Sequence, residues 1–160
     1  MIIRGANEGD KPSIWAMLEP VFRAGETYAI DRDISGPAAL DYWFGPERRV
    51  FVAEDGAELL GTYYIVRNQK GGGSHVCNCG YVTAAAARGK GVARAMLAHS
   101  LDLAPTLGFR AMQYNCVIST NTRAVDTWTR AGFDTVGRLP GAFEMPDGQE
   151  VDALVMFRRL

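Results

Sequence analysis

Arg88-Gly89-Lys90-Gly91-Val92-Ala93 is the stretch on which the reading of this chain turns. It lies between a run that reads as a strand, His75 to Val82, and an Ala- and Leu-rich stretch in which Val92, Met96, Leu97, Ser100, Leu101 and Ala104 share one helical stripe. Glycines at such a junction let backbone come close to a ligand and turn successive N–H groups inward, and the helix start adds unpaired donors and positive dipole. Arg88, Lys90 and Arg94 add cationic charge around it. The pattern predicts a cradle for phosphate, with an ordinary strand-to-helix turn as the plainer alternative. It is not a Walker A loop, because Gly89-Lys90-Gly91-Val92 lacks the Gly-Lys-Ser/Thr ending. Arg94 stands where a dinucleotide fingerprint needs a third Gly or Ala.

Upstream, Met1 to Gly5 reads as a short strand, and Pro12 opens a helix whose apolar positions are Ile14, Trp15, Leu18, Val21 and Phe22. Gly25 to Ser35 is a polar loop carrying Glu26, Tyr28, Asp31 and Asp33, a candidate rim for a binding site. A second helix follows through Ala38, Leu40 and Trp43. Arg49 to Glu54 and Leu59 to Val66 read as a hairpin across Asp55-Gly56, with a turn longer than two residues. Gly80 in the next strand predicts a bulge or a close approach of backbone to ligand.

Downstream, Pro105 ends or kinks the long helix near its last turn, and Gly108 closes the connection to a strand from Phe109 to Val117. A further helix starts among the capping residues Ser119 to Thr122 and stops at Gly132. Phe133 to Leu139 and Val151 to Phe157 read as the last two strands, separated by turns at Pro140-Gly141 and Pro146-Asp147-Gly148.

The 160 residues, 48% hydrophobic and 22% charged, suit one domain spanning 1–160 with its own core. Seventeen basic against eighteen acidic side chains give a net charge of −1, which provides no field for nonspecific nucleic-acid or membrane binding. The chain contains no apolar run of the roughly 18 residues that span a bilayer, and its first residues lack the pattern of a secretion signal, so a cytoplasmic location is expected. The odd set Cys77, Cys79 and Cys116 fits a reducing compartment. His75, Cys77 and Cys79 alternate along a strand, which sets them in a row rather than at tetrahedral corners, so no metal is expected.

Two spaced motifs resemble those of the GNAT superfamily, the acetyl-CoA-dependent N-acetyltransferases. Arg88, Gly91 and Ala93 match its Gln/Arg-x-x-Gly-x-Gly/Ala pyrophosphate loop, and Asn121, Ala124, Trp128 and Gly132-Phe133 match its Asn-x-x-Ala-x-x-x-Tyr-x-x-x-Gly-Phe segment with Trp in place of Tyr. The resemblance implies an α/β (α+β) GNAT fold: a mixed, mostly antiparallel sheet of about seven strands, splayed between the fourth and fifth and flanked by about four helices. It implies acetyl-CoA as cosubstrate, bound by Val82, Thr83, Arg88, Gly89, Lys90, Gly91, Val92, Ala93, Asn121 and Trp128. An amine then attacks the thioester directly, and a backbone N–H around Tyr81 to Thr83 steadies the oxyanion. Trp128 donates a hydrogen bond but is no general acid, which leaves a noncatalytic acyl-CoA sensor as one alternative.

A closer resemblance is to GNATs that acetylate proline analogues such as azetidine-2-carboxylate, carried by Gly61-Thr62-Tyr63-Tyr64, Gly73-Ser74-His75-Val76, Asn78-x-Gly80-Tyr81, Ser119-Thr120-Asn121-Thr122 and the tail around Leu139-Pro140-Gly141-Ala142-Phe143. It implies a small amine, an amino acid or proline analogue, as acceptor, with a peptide N-terminus or lysine as the competing class. Asn78 and Asn115 would then face the acceptor, and Glu26, Tyr28 and Tyr63, with Tyr64 and Tyr81, are the other candidate walls. Neither Glu26 nor His75 identifies itself as the base. The resemblance also leaves room for a homodimer through edge strands.

Overall fold

The computed structural model describes residues 1–160. The elements are β1 (Ile2–Gly5), α1 (Lys11–Ala24), α2 (Gly36–Trp43), β2 (Arg49–Asp55), β3 (Glu58–Arg67), β4 (Val76–Thr83), α3 (Val92–Thr106), β5 (Ala111–Ile118), α4 (Thr122–Arg130), β6 (Asp134–Glu144) and β7 (Glu150–Arg159). They form one sheet in the order β1-β2-β3-β4-β5-β7-β6. Every neighbouring pair is antiparallel except β4 and β5, which run parallel.

Strand alternation divides the core between the two faces of the sheet. Tyr63, Ile65, Cys77 and Cys79 pack with Met96, Met112 and Met156 on the α3 face. Val50, Val52, Tyr64 and Val82 pack with Ile14, Leu18, Phe22 and Trp43 on the α1 and α2 face. Each fully buried side chain such as Leu18 or Phe22 contributes about 1.5–3 kcal/mol. The Trp43 indole N–H is satisfied by Thr62 Oγ1 at 3.1 Å, and that hydroxyl donates to Phe51 C=O at 2.9 Å.

Three local expectations need correction. The β2–β3 turn has two residues, Gly56-Ala57, with Gly56 at φ 60°. The surplus residue is taken up inside the ladder, where Ala53 faces Gly61 and Glu54 faces Leu59, leaving Leu60 as a bulge. Pro140-Gly141 is not a turn: β6 continues to Glu144 with an irregular register between Leu139 and Phe143. There Asp152 replaces the missing backbone partner, accepting from Gly141 N–H at 3.0 Å and from Arg138 at 2.6 Å. Gly80 causes no bulge, since β3 and β4 keep one register from Gly61–Thr83 to Arg67–Cys77.

The parallel contact decides where a site can form. β4 and β5 pair only at Val76–Ala111 and Cys77–Met112, and beyond those residues the strands diverge. The next rung would be closed by backbone, but Asn78 Nδ2 donates instead to Gln113 C=O at 2.8 Å. That side chain pins the vertex of a V-shaped gap in the middle of the sheet.

Candidate active site

The gap holds a chamber of about 410 Å³ whose walls include Tyr28, Tyr64, Asn78, Tyr114, Asn115 and Trp128. A second cleft, about 670 Å³, runs along the start of α3 and α4 and includes Arg88, Gly89, Gly91, Arg94, Asn121 and Arg123. The two are continuous, sharing Tyr81, Thr83, Arg88, Asn121, Ala124 and Trp128.

The cleft is built from backbone. Gly89 and Gly91 have φ 81° and 80°, and Gly91 caps α3 in the left-handed region, where other residues are strained. A Cβ at either position meets nothing within 4 Å, so the space over the loop is open. Arg88 N–H and Lys90 N–H are spent on Ala85 and Ala87 C=O. Gly89, Gly91, Val92, Ala93 and Arg94 donate to no protein acceptor outside α3, which leaves a row of free amides at a helix start beside the exposed Arg88 and Lys90. Asn121 holds the facing helix start: its Oδ1 accepts from Ala124 N–H at 3.3 Å. This donor set, open to solvent and flanked by cations, fits a diphosphate.

In the chamber, the register of β4 selects the backbone groups that face the gap. Ala84 N–H donates to Leu60 C=O, and Asn68 N–H donates to Val76 C=O. On that register even-numbered β4 residues turn their amides to β3, while Cys79, Tyr81 and Thr83 turn theirs to the opening. Within Tyr81 to Thr83, where the oxyanion donors are expected, the amides that face the opening are those of Tyr81 and Thr83. The Val82 amide belongs to β3, and its buried side chain is an apolar wall of the chamber. The Tyr81 C=O is already taken, accepting from Tyr28 Oη at 3.1 Å.

Tyrosine placement follows strand parity. Tyr64, Tyr28 and Tyr42 line the chamber from the α1 and α2 side. Gly80 is required there, because a Cβ would lie 2.6 Å from the Tyr64 ring and 3.0 Å from Tyr28 Oη. Tyr63 is corrected: one residue along β3 it points to the opposite face, fully buried, with its hydroxyl 2.6 Å from His99 Nδ1. Glu26 is exposed and outside the chamber walls, because the loop leaving α1 at Gly25 (φ 66°) turns Tyr28 inward and leaves Glu26 in solvent.

The hydroxyls on the α3 side form a closed circuit. Tyr81 Oη lies 2.7 Å from Ser100 Oγ, whose own proton goes to Leu97 C=O at 2.8 Å. Tyr114 Oη lies 3.2 Å from Tyr81 Oη and 3.4 Å from Met112 Sδ. Burial raises both phenols well above their ordinary range. Each has a partner for its proton within the protein. Trp128 packs across the pair, its ring 5.3 Å from Tyr81 and 4.9 Å from Tyr114, and its indole N–H meets no protein acceptor.

Asn78 and Asn115 both line the chamber. Asn115 Nδ2 donates to Asn68 Oδ1 at 2.7 Å, and its Oδ1 accepts from Gln113 Nε2 at 2.9 Å. Asn78 keeps its Oδ1 free. Cys116, exposed in the chamber wall, has its thiol pKa raised by partial burial. Tyr42, Asn68 and Gln113 carry no motif, and only the adjacency of Tyr42 to the core residue Trp43 hinted that its helix turn faces inward.

The acetyltransferase (GNAT) family profile matches residues 13–133. The N-acetyltransferase aca1 of Schizosaccharomyces pombe is 29% identical over 134 residues, an alignment covering 74% of this chain and 64% of that protein. The chain thus spans less than two thirds of that relative's length. A GCN5-related N-acetyltransferase from Kribbella flavida is 39% identical and superposes with a TM-score of 0.94, over 99% of this chain and 97% of that one. A phosphinothricin acetyltransferase from Sinorhizobium meliloti, solved in complex with AcCoA, shares the fold at 20% identity, with a TM-score of 0.86 over 99% of this chain and 88% of that one.

Proposed function

Because the chain belongs to the GNAT acetyltransferase family, we propose that it acts as one domain that transfers an acetyl group from acetyl-CoA to the amine of a small molecule, an amino acid or proline analogue. The observation that carries the reading is the continuity of the free-amide cleft with the tyrosine-walled chamber. Acetyl-CoA supplies the thioester carbonyl. The amides of residues 89 and 91–94, with Arg88, Lys90 and Arg94, hold its diphosphate. Trp128 and the Tyr81 backbone line the passage from cleft to chamber, and the Tyr81 and Thr83 amides face the carbonyl oxygen.

The acceptor amine lies on the Asn78 side, where Asn78 Oδ1 accepts one of its protons. Ammonium loses its proton to water, since Glu26 stands outside the chamber. With Tyr81 and Tyr114 hydroxyls committed to each other, Ser100 and Met112, no side chain protonates the departing sulfur. A thiolate near the cysteine reference of about 8.5 is a tolerable leaving group without that help. Attack is direct, in a ternary complex.

Trp128 in the position of the family's acid favours a second reading, a noncatalytic acyl-CoA sensor. Thiol release from acetyl-CoA separates the two, measured across free amino acids, proline analogues, polyamines and peptides. The enzyme reading expects acceptor-stimulated release with at least one small amine. Tight binding of acetyl-CoA with no stimulation by any of them assigns the sensor role.

A further inference from the structure

Arg48 lies in the short connection between α2 and β2, and its guanidinium sits over two rings, 4.2 Å from the Tyr42 centroid and 4.1 Å from that of Tyr64. One N–H donates to Tyr42 C=O. No carboxylate of the chain lies within ion-pairing distance, although the neighbouring Arg67 is paired with Glu47. Arg48 is half-buried, so much of its hydration is lost without a counterion in return. Contact with both rings, which stand at 89° to each other, offsets part of that cost and holds the guanidinium in place between them and the Tyr42 carbonyl, leaving its remaining donors unused.

Beside it is a recess of about 420 Å³ that shares Tyr42, Asn78 and Asn115 with the chamber. Its other charged walls are Arg67, neutralised by Glu47, and Asp41, which is exposed and solvated. The remaining polar wall is Asn68. The recess therefore presents one partly desolvated, unpaired cation beside neutral amides, with the solvated Asp41 as its one unpaired acid, next to the place where the acceptor amine must approach.

We propose that Arg48 receives a carboxylate of the acceptor, so that the acetylated amine belongs to a carboxylate-bearing molecule rather than to a simple amine or polyamine. This rests on the acetyl-transfer reading above. A planar, fixed guanidinium pairs bidentately with a carboxylate, the acceptor's carbon frame packs on the Tyr42 and Tyr64 rings, and Asn78 Oδ1 takes the amine. A residue that only packed α2 against β3 would not distinguish an acid from its amide.

The test compares wild type with Arg48→Met and Arg48→Lys in thiol release from acetyl-CoA, using L-azetidine-2-carboxylate, L-proline and L-methionine, each beside its carboxamide. Wild type is expected to favour each acid that it uses at least tenfold in kcat/KM. Arg48→Met is expected to cut that acid-to-amide ratio at least tenfold through the KM of the acid, and Arg48→Lys to restore part of it. Taking the ratio within one protein cancels any loss of folded enzyme. A ratio near one in wild type, or one that survives in Arg48→Met, overturns the assignment. Calorimetric binding of the N-acetylated acids and amides runs in parallel and needs no turnover. Absence of thiol release with every acceptor defeats the transfer reading, and the binding arm then decides Arg48 alone. Acid-selective binding lost in Arg48→Met supports it, and equal or absent binding of both forms overturns it.

Discussion

The two faces of the splayed strands differ in what their polar groups have left to give. On the α3 face, Tyr81, Tyr114 and Ser100 satisfy one another or a neighbouring sulfur and carbonyl, and the groups facing the gap are backbone amides. On the α1 and α2 face, the unspent groups belong to side chains, the Arg48 guanidinium and Asn78 Oδ1. On the proposed reading, the cofactor side therefore depends on chain path and the acceptor side on residue identity. Substitutions should reveal that difference.

The largest effect is expected where chain path itself is altered. Arg88→Glu with Gly91→Val reverses a charge and forces a β-branched residue to φ 80° at the cap of α3. Acetyl-CoA should bind about 10- to 100-fold more weakly, the loss of at least one charge-assisted contact of roughly 1.5–3 kcal/mol. Calorimetry checks this, and wild-type affinity in the double variant would remove the cleft from the account.

On the acceptor side, Gly80→Ala puts a methyl 2.6 Å from the Tyr64 ring. Overpacking should cost about 1–3 kcal/mol of stability and displace Tyr64 and Tyr28. Denaturant unfolding reads the first effect, and a fall in acceptor kcat/KM with near-normal acetyl-CoA binding reads the second. Asn78→Ala leaves Gln113 C=O without its donor and removes the amine's acceptor, so kcat/KM for the acceptor should drop about tenfold or more. Asn115→Ala should cost less, because that side chain is exposed and bonds only to other side chains. An acetyl-CoA binding defect in Asn78→Ala equal to its acceptor defect would erase the distinction between the faces.

The smallest effects are expected from side chains on the α3 face. Tyr81→Phe and Trp128→Phe should each hold kcat within about threefold, far from the 100-fold scale of lost acid catalysis. A hundredfold fall in either, with the fold intact, would mean that a hydroxyl or indole on this face acts on the leaving sulfur.

The same contrast explains what was legible from sequence. Gly89, Gly91 and Asn121 announced themselves because left-handed backbone and helix caps restrict residue choice, and the cap of Asn121 on Ala124 is present. The seven strands, four helices and the parting of the fourth and fifth strands also agree with expectation. Tyr63 and Tyr64 were not separable, because a one-residue uncertainty in register exchanges the faces of a strand. Glu26 and Tyr28 share a loop whose direction is set by Gly25 and by the reciprocal hydrogen bonds of Arg23 and Arg32 with each other's carbonyls. Arg48 carried no signal, since its lack of a counterion exists only once α2, β2 and β3 are assembled.

Initial rates of thiol release with acetyl-CoA and acceptor both varied test the central claim most directly, namely that two substrates meet across the gap and react without an acylated protein. Direct attack predicts double-reciprocal lines that intersect. Parallel lines, together with an isolable acetyl group on Cys116, the exposed thiol in the chamber wall, would contradict it.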